Sequence, residues 1–186
     1  TIQSKRKGFE YLNELFIKRH RKILWKSVKK IAAVSAALFA VSLGLLWYFP
    51  EAKAEVNDLL LNAFPMTLFF MYAINRGTRF TSVLFINCDH SLLTYSFYKK
   101  PGYILQLFQI RLREIIKVNL LPAGVIGLGL TLLLYVSGGT DNPINYVVMP
   151  LSVLCRSIFF SVHYLTIYYL LQPYNAGTEI KSGMYQ

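Results

Sequence analysis

The chain of 186 residues is 54% hydrophobic and only 16% charged, yet its formal net charge is +11. A soluble domain usually carries about a quarter charged residues, so this composition argues against one and favours an integral membrane protein. Ten of the twenty Lys and Arg residues fall between Lys5 and Lys30, and seven more between Arg76 and Lys117. Basic blocks that abut long apolar runs are typical of the cytoplasmic flanks of membrane spans, which makes nucleic-acid binding the weaker interpretation.

Residues 1–30 form a basic arm that is predicted to be an amphipathic helix. Phe9, Phe16 and Leu24 follow roughly helical spacing, and basic residues fill the other faces. Such a helix lies in the headgroup plane of a membrane, where anionic lipids attract its cations. The cations expected to contact lipid headgroups are Lys18, Arg19, Arg21, Lys22 and Lys26. The alternative interpretation is a charged helix surrounded by water.

Four apolar segments are predicted to cross the membrane: residues 31–49, 59–75, 118–138 and 144–171. The first has 19 residues without a charge, which is about the length that a helix needs to cross the hydrocarbon core. The second is short and contains Pro65, so a tilted or broken helix is expected there. The segments predict an all-α integral membrane protein with four transmembrane helices after the interfacial arm.

Small residues form a stripe along the first segment, where Ala32, Ala36, Ala40 and Gly44 are each four residues apart. Between helices in lipid, small side chains permit the close approach on which packing depends. The stripe is interpreted either as a seam between subunits or as ordinary packing within one chain.

The charges of the connections predict the orientation of the chain. The connection "PEAKAEVND" holds three acidic residues and one lysine, and "GTDNPIN" holds one acidic residue and no base, whereas the arm and residues 76–117 are strongly basic. By the positive-inside rule, both termini and the long loop are cytoplasmic. The start at Thr1 and the polar tail, residues 172–186, fit a piece of a longer polypeptide that would continue into further spans.

Arg156 stands near the middle of the fourth segment and shares a helical face with Ser152 and His163. A charge at that depth costs on the order of 3 kcal/mol or more, so it normally faces the protein interior or water. Its expected partners are backbone carbonyls, Asn62, an acid of another chain or a transported substrate. These four polar residues are candidates for a translocation path, and a structural arginine held by the backbone is the alternative.

The stretch "CDHSLLTYSFYKKPG", residues 88–102, brings a cysteine, an aspartate and a histidine together. On a helix the three side chains point about 100° apart. On a strand only Cys88 and His90 share a face, and two ligands do not make a zinc site. The sequence also has no G-x-S-x-G and no H-E-x-x-H motif. We therefore expect no catalytic residue, no metal site and a reduced, cytoplasmic Cys88.

A docking element is the better interpretation of this stretch. Asp89 is expected to cap a short helix, "HSLLTYSFY", which ends at the turn "KKPG" before a second helix, "YILQLFQIRLREIIKV", begins. The second helix is expected to have an apolar face and leads directly into the third segment; that face contains Leu105, Phe108, Leu112, Ile115 and Ile116. Residues 76–117 therefore predict a cytoplasmic helical hairpin between spans 2 and 3.

This layout resembles the membrane-spanning permeases of bacterial ABC exporters, in the broad type-two class. The arm before the first span, the hairpin "DHSLLTYSFYKKPGYIL" and the ending "SVHYLTIYYLLQPYN" are similar to exporter permeases of Gram-positive bacteria. In that family the hairpin is a coupling helix that inserts into an ATP-binding subunit. The resemblance implies that the docking residues are Asp89, Leu92, Leu93, Tyr95, Phe97, Tyr98, Lys99 and Lys100. Members usually have six spans, so two spans would lie beyond Gln186 or the unit departs from the family plan.

The resemblance implies a permease of the bacterial cell membrane that is not itself an enzyme. The chain carries no G-x-x-x-x-G-K-[ST] phosphate loop, so ATP and Mg²⁺ would be held by a partner subunit. The implied partners are that ABC-type ATP-binding subunit, a second permease or a second copy of the chain, and anionic lipids. Two other functions stay open: a membrane-embedded enzyme in which Arg156 and His163 act on a lipid phosphate, and a membrane sensor or assembly subunit that does not transport.

Overall fold

The basic arm and the first apolar segment form one helix in the computed structural model, which describes residues 7–75, 77–90, 95–96 and 100–171. This helix, α1, runs Gly8–Tyr48 and has 41 residues. No proline interrupts it, and Ala, Leu and Lys are good helix formers. It ends before Pro50 because a proline disfavours the helical conformation of the preceding residue, and Phe49 has φ −116° and ψ 80°. The predicted division at residue 30 therefore does not coincide with a helix end.

The second apolar segment is broken at Pro65. A 3-10 turn, Pro50–Ala52, leads into α2, Lys53–Asn62, and a second turn, Phe64–Met66, separates α2 from α3, Thr67–Ile74. Pro65 has no amide proton to donate, and in a continuous helix its ring would clash with the carbonyl of the residue four positions earlier. The break is therefore the expected one, and neither helix is long enough to cross a membrane alone.

The remaining helices follow in two groups. α4, Gly77–Leu84, continues as one π-helical turn, Phe85–Asp89. α5, Pro101–Val136, and α6, Asn145–Leu171, come next. Because α5 begins at Pro101 and not near residue 118, Pro122 lies in the helix interior.

Among the residues that the structure describes, three helices, α1, α5 and α6, are long and apolar enough to cross a membrane. They contain nearly all of the first, third and fourth predicted segments, so the prediction of a helical membrane protein is confirmed at this level. α1 and α5 have 41 and 36 residues, well above the roughly 20 that the hydrocarbon core requires. Both extend beyond the predicted spans at their N-terminal ends, where the basic residues lie.

The chain divides into two compact units. Unit 1 comprises Thr1–Lys26, Arg76–Val118 and Phe160–Gln186, and unit 2 comprises Ser27–Asn75 and Asn119–Phe159. The chain therefore enters unit 2 twice and leaves it twice. The core of unit 1 contains Phe16, Leu24, Phe80, Leu84 and Ile115, and that of unit 2 contains Leu46, Leu60, Leu133, Leu134 and Met149.

Part of the apolar face predicted for the basic arm is covered by protein. Phe16 and Leu24 are 6% and 4% exposed, and they pack with residues of α4 and α5 in the core of unit 1. The structure differs here from a helix whose whole apolar face is buried in lipid, because α4 and α5 already cover these two side chains. The five cations predicted to contact headgroups are all exposed, and Lys18 pairs with Glu14 at 2.5 Å.

Close packing in unit 2 depends on a glycine of α5. A Cβ added to Gly127 would lie 3.0 Å from Pro150 Cα of α6, a backbone atom that cannot move easily. A Cβ on Gly124, one turn earlier, would meet nothing within 4 Å. Of these two glycines, it is Gly127 that the close approach of α5 to α6 requires.

We expect Gly127→Ala to lower the free energy of unfolding by about 1 to 3 kcal/mol, as overpacking of a filled interior usually does. The matched change Gly124→Ala should be neutral or slightly stabilising, because alanine is the better helix former. Thermal unfolding of both variants in one detergent measures the difference. Equal stability of the two variants would contradict the close approach.

Candidate functional site

A buried ion pair lies in unit 1 at the end of the π-helical turn. Arg111 Nη1 donates to Asp89 Oδ2 at 2.6 Å, and Arg111 Nη2 donates to Asp89 Oδ1 at 2.5 Å. Both residues are only 2% exposed. Two parallel hydrogen bonds between a guanidinium and a carboxylate make a strong and orientationally specific contact.

Two tyrosines of α6 extend this pair into what we call the Asp89 cluster: Asp89, Arg111, Tyr168 and Tyr169. Tyr168 Oη donates to Asp89 Oδ2 at 2.6 Å. Arg111 Nη1 donates to Tyr169 Oη at 2.6 Å, and the guanidinium carbon lies 5.8 Å from the centre of that ring. The cluster therefore joins the end of the π-helical turn to both α5 and α6.

The π-helical turn determines which way Asp89 points. A π-helical turn holds one more residue than an α-helical turn, so it changes the direction of the side chains that follow it. Phe85 and Asp89 are buried, whereas Ile86 and Asn87 between them are exposed. The structure thus differs from the prediction that Asp89 is an exposed helix cap and docking residue. Its carboxylate is taken up by Arg111, because a buried charge requires a partner of opposite charge.

Cys88 borders the Asp89 cluster, and its Sγ lies 4.0 Å from Arg111 Nη2. Burial raises the pKa of the Cys88 thiol from the ordinary 9.0 to about 11, the charge of Asp89 acts in the same direction, and Arg111 opposes both. Since the thiolate is the reactive form, this cysteine is a poor nucleophile near neutral pH. Within the described part of the chain, no three His, Cys, Asp or Glu side chains gather around a possible metal position.

The predicted docking residues are described only in part. Tyr95 is 56% exposed, and Lys100 is exposed as well. Leu92, Leu93, Phe97, Tyr98 and Lys99 lie outside the described residues, as does most of the short helix predicted there. The second predicted helix is present as the start of α5 and runs directly into the third apolar segment.

Arg156, in unit 2, finds neutral partners at the break between α2 and α3. Its Nη1 donates to the carbonyl oxygen of Phe64 at 3.4 Å and to Thr67 Oγ1, and its guanidinium carbon lies 4.8 Å from the centre of the Phe64 ring. The expected carbonyl partner is therefore present. Asn62 is not a partner, because it is exposed and its amide donates to Asp58 Oδ1 at 2.6 Å.

The other predicted polar residues of α6 are half-buried. Ser152 belongs to unit 2, whereas His163 belongs to unit 1, where its ring centre lies 5.6 Å from that of Tyr164. The structure therefore describes a site around Arg156 without assigning either residue to it.

Sequence reasoning missed a second polar network, in unit 2. Asn119 Nδ2 donates to Asn75 Oδ1 at 3.3 Å, Asn75 Nδ2 donates to the Ser157 carbonyl at 3.4 Å, and Ser157 Oγ donates to the Asn119 carbonyl at 3.4 Å. All three residues are buried. Asn75 and Asn119 stand at the ends of apolar segments, where an asparagine is easily taken for a loop boundary. An asparagine next to a predicted span is the signal that could have found them.

The small-residue stripe is used only at one end for packing within the chain. Ala32 is 8% exposed, but Ala36, Ala40 and Gly44 are exposed, and a Cβ on Gly44 would meet nothing within 4 Å. The seam between subunits thus stays a prediction, with most of its surface uncovered.

No protein-family model, curated protein or solved structure matches this sequence.

Proposed function

We propose that the chain is the membrane-spanning permease component of an ATP-driven ABC exporter in a bacterial cell membrane. It forms part of the translocation path, and a separate ABC-type subunit binds and hydrolyses ATP with Mg²⁺. Residues 90–100 are the docking segment for that subunit. The exposed part of the small-residue stripe is the surface for a second copy or a second permease, and the exposed cations of the arm contact anionic lipids.

The observation that carries this proposal is the Asp89 cluster. A docking segment can transmit a movement of its partner to the rest of the chain only if the residues at the start of the segment are held rigidly. Here the residue that precedes the segment is held in a two-point ion pair with α5, and α6 adds the Tyr168 hydrogen bond. α5 then begins at Pro101, on the far side of the segment, and continues without interruption to Val136. Such rigid connections are what carries coupling between distant sites.

The path of the chain through unit 2 supports the topology in this proposal. Two entries and two exits place residues 1–26, 76–118 and 160–186 in the same unit. Apart from Lys29 and Lys30, these residues hold both basic blocks, as the positive-inside rule expects of one cytoplasmic side. α2 and α3 together then make the second crossing, broken at Pro65, and both termini are cytoplasmic.

The test is a change of Tyr95, an exposed residue of the docking segment. Tyr95→Asp adds a charge to the proposed apolar contact, and desolvating an unpaired charge should weaken binding of the ATP-binding subunit by about tenfold or more. The control Tyr95→Phe keeps the ring and should retain binding. Both variants are expressed at native level, cross-linked in membranes and purified, and the recovered partner is identified by its phosphate-loop sequence and its ATPase rate.

The proposal predicts that wild type and Tyr95→Phe recover an ATPase and that Tyr95→Asp does not. Insertion of the three chains is compared by their yield in the membrane fraction. Failure of the wild-type chain to recover any phosphate-loop ATPase would refute the proposal, as would undiminished recovery by Tyr95→Asp.

A further inference from the structure

Arg156 is a cation within a helix long enough to cross a membrane, and no acidic side chain among the described residues pairs with it. Among residues 7–75, 77–90, 95–96 and 100–171, its partners are a carbonyl, a hydroxyl and an aromatic ring, and no carboxylate of these residues lies within 4 Å of it. A guanidinium stays protonated in proteins, so it cannot escape the cost of its charge by losing a proton. This arrangement satisfies one end of the guanidinium but gives its positive charge no counter-ion from the residues that the structure describes.

The remaining donors of Arg156 are accessible. Within the described part of the chain, Nη1 is the only nitrogen atom of the Arg156 guanidinium group that is hydrogen-bonded. The other two, Nη2 and Nε, are not fully enclosed by protein. The residue as a whole is half-buried. Nη2 and Nε can therefore be reached from outside the chain, and two neighbouring N–H donors match the geometry of a carboxylate or a phosphate.

Exposed aromatic side chains stand close in sequence to Arg156 on α6 and to its partner Thr67 on α3. Phe159 lies three residues after Arg156, on the same face of α6, and is 60% exposed. Phe69 and Phe70, which follow Thr67 on α3, are 73% and 67% exposed. An anion bound at Arg156 would therefore gain from an apolar part that packs against these exposed rings.

We propose that Arg156 binds the anionic group, a phosphate or a carboxylate, of an amphiphile whose apolar part lies against the exposed aromatic side chains of α3 and α6. The Phe64 ring and the Phe64 carbonyl hold one end of the guanidinium, so that Nη2 and Nε face the ligand. This inference rests on the proposed permease function in one respect, namely that it takes the amphiphile as the transported class of molecule.

The experiment measures binding of dodecyl phosphate to the purified full chain in a neutral maltoside detergent, by isothermal titration. Wild type should bind it saturably, with one molecule per chain. Arg156→Gln should weaken binding by about tenfold or more, because a hydrogen-bonded charge pair is lost. Arg156→Lys should lose less, since it keeps the charge but not the paired donors. The control Arg113→Gln removes an exposed cation of α5 and should bind as wild type does.

Inorganic phosphate and neutral dodecanol separate the two parts of the ligand. Both should bind at least about tenfold more weakly than dodecyl phosphate, since each lacks one part of the interaction. If inorganic phosphate binds as tightly as dodecyl phosphate, the ligand needs no apolar part and the proposed amphiphile is wrong. If the Arg156→Gln variant binds dodecyl phosphate as tightly as wild type does, Arg156 is not the binding site. No ATPase is present in this binding assay. A negative result here would therefore refute the Arg156 site without bearing on the docking of the ATP-binding subunit, which the Tyr95 variants test.

Discussion

Replacing Asp89 with alanine is expected to lower the free energy of unfolding by about 3 to 5 kcal/mol, because it removes the carboxylate that neutralises the buried Arg111 charge. Tyr168 also loses its acceptor, at 2.6 Å in the native chain. Trp25 packs against the core of unit 1 and reports its unfolding by fluorescence. The second tryptophan, Trp47, is 86% exposed and is removed by Trp47→Phe in the background. Denaturant titration in mixed micelles then gives the difference.

Two further variants make this measurement specific. Glu114→Ala breaks the 2.8 Å pair with Lys117 on the surface of the same helix α5, and it should cost less than about 1 kcal/mol. The double change Asp89→Leu with Arg111→Met replaces the buried pair with apolar side chains and should recover most of the loss. If Asp89→Ala costs no more than Glu114→Ala, the cluster does not hold the base of the docking segment.

Cys88 should react with a hydrophilic maleimide about 100-fold more slowly than an ordinary cysteine at about pH 8. The thiolate is the reacting form. A pKa of about 11 instead of 9.0 lowers its fraction by about two orders of magnitude at that pH. As the pH rises toward 11, the Cys88 thiolate fraction grows and the ratio of the two rates should shrink. Mass spectrometry of the labelled protein over time measures both rates, in a Cys155→Ser background.

The matched reference is the neighbouring position on the same π-helical turn. Asn87 is exposed, so Asn87→Cys in a chain that also carries Cys88→Ser and Cys155→Ser places an ordinary thiol one residue away. Similar rates for Cys88 and this reference at every pH would show that the Cys88 thiol is neither buried nor influenced by Asp89.

The long helices were predictable in position but not in extent. Apolar length alone identifies the parts of α1, α5 and α6 that suit a membrane. The change from basic to apolar residues near residue 30 indicates a change of surroundings, but it does not end a helix, because Lys and Leu have similar helix propensities. Helix ends are set here by backbone chemistry. Pro50 and Pro65 mark real ends, whereas Pro122 lies inside α5.

The Asp89 cluster was not predictable, because the acidic and basic residues of a buried ion pair are the same residue types that occur on a solvated surface. Leu105 was expected on the apolar face of the second hairpin helix, and it is 59% exposed. Ile115 was expected on the same face and is buried, and the buried line that contains it also runs through Leu107 and Arg111, at intervals of four residues. Arg111 interrupts this line in the sequence, and only its partner Asp89 on the π-helical turn reveals that it belongs to the core. The π-helical turn that brings the partner there has no sequence signature of its own.

The π-helical turn also makes the Asp89–Arg111 ion pair depend on the number of residues in the turn. A π-helical turn is equivalent to an α-helix with one residue inserted. Deleting Asn87 would return Phe85–Asp89 to the α-helical repeat and rotate everything after it by about 100° around the axis. Asp89 would then turn away from Arg111. The presence of the extra residue and of the ion pair should therefore be correlated in evolution. A related gene that lacks the codon for Asn87 should also lack the aspartate or the arginine of the pair.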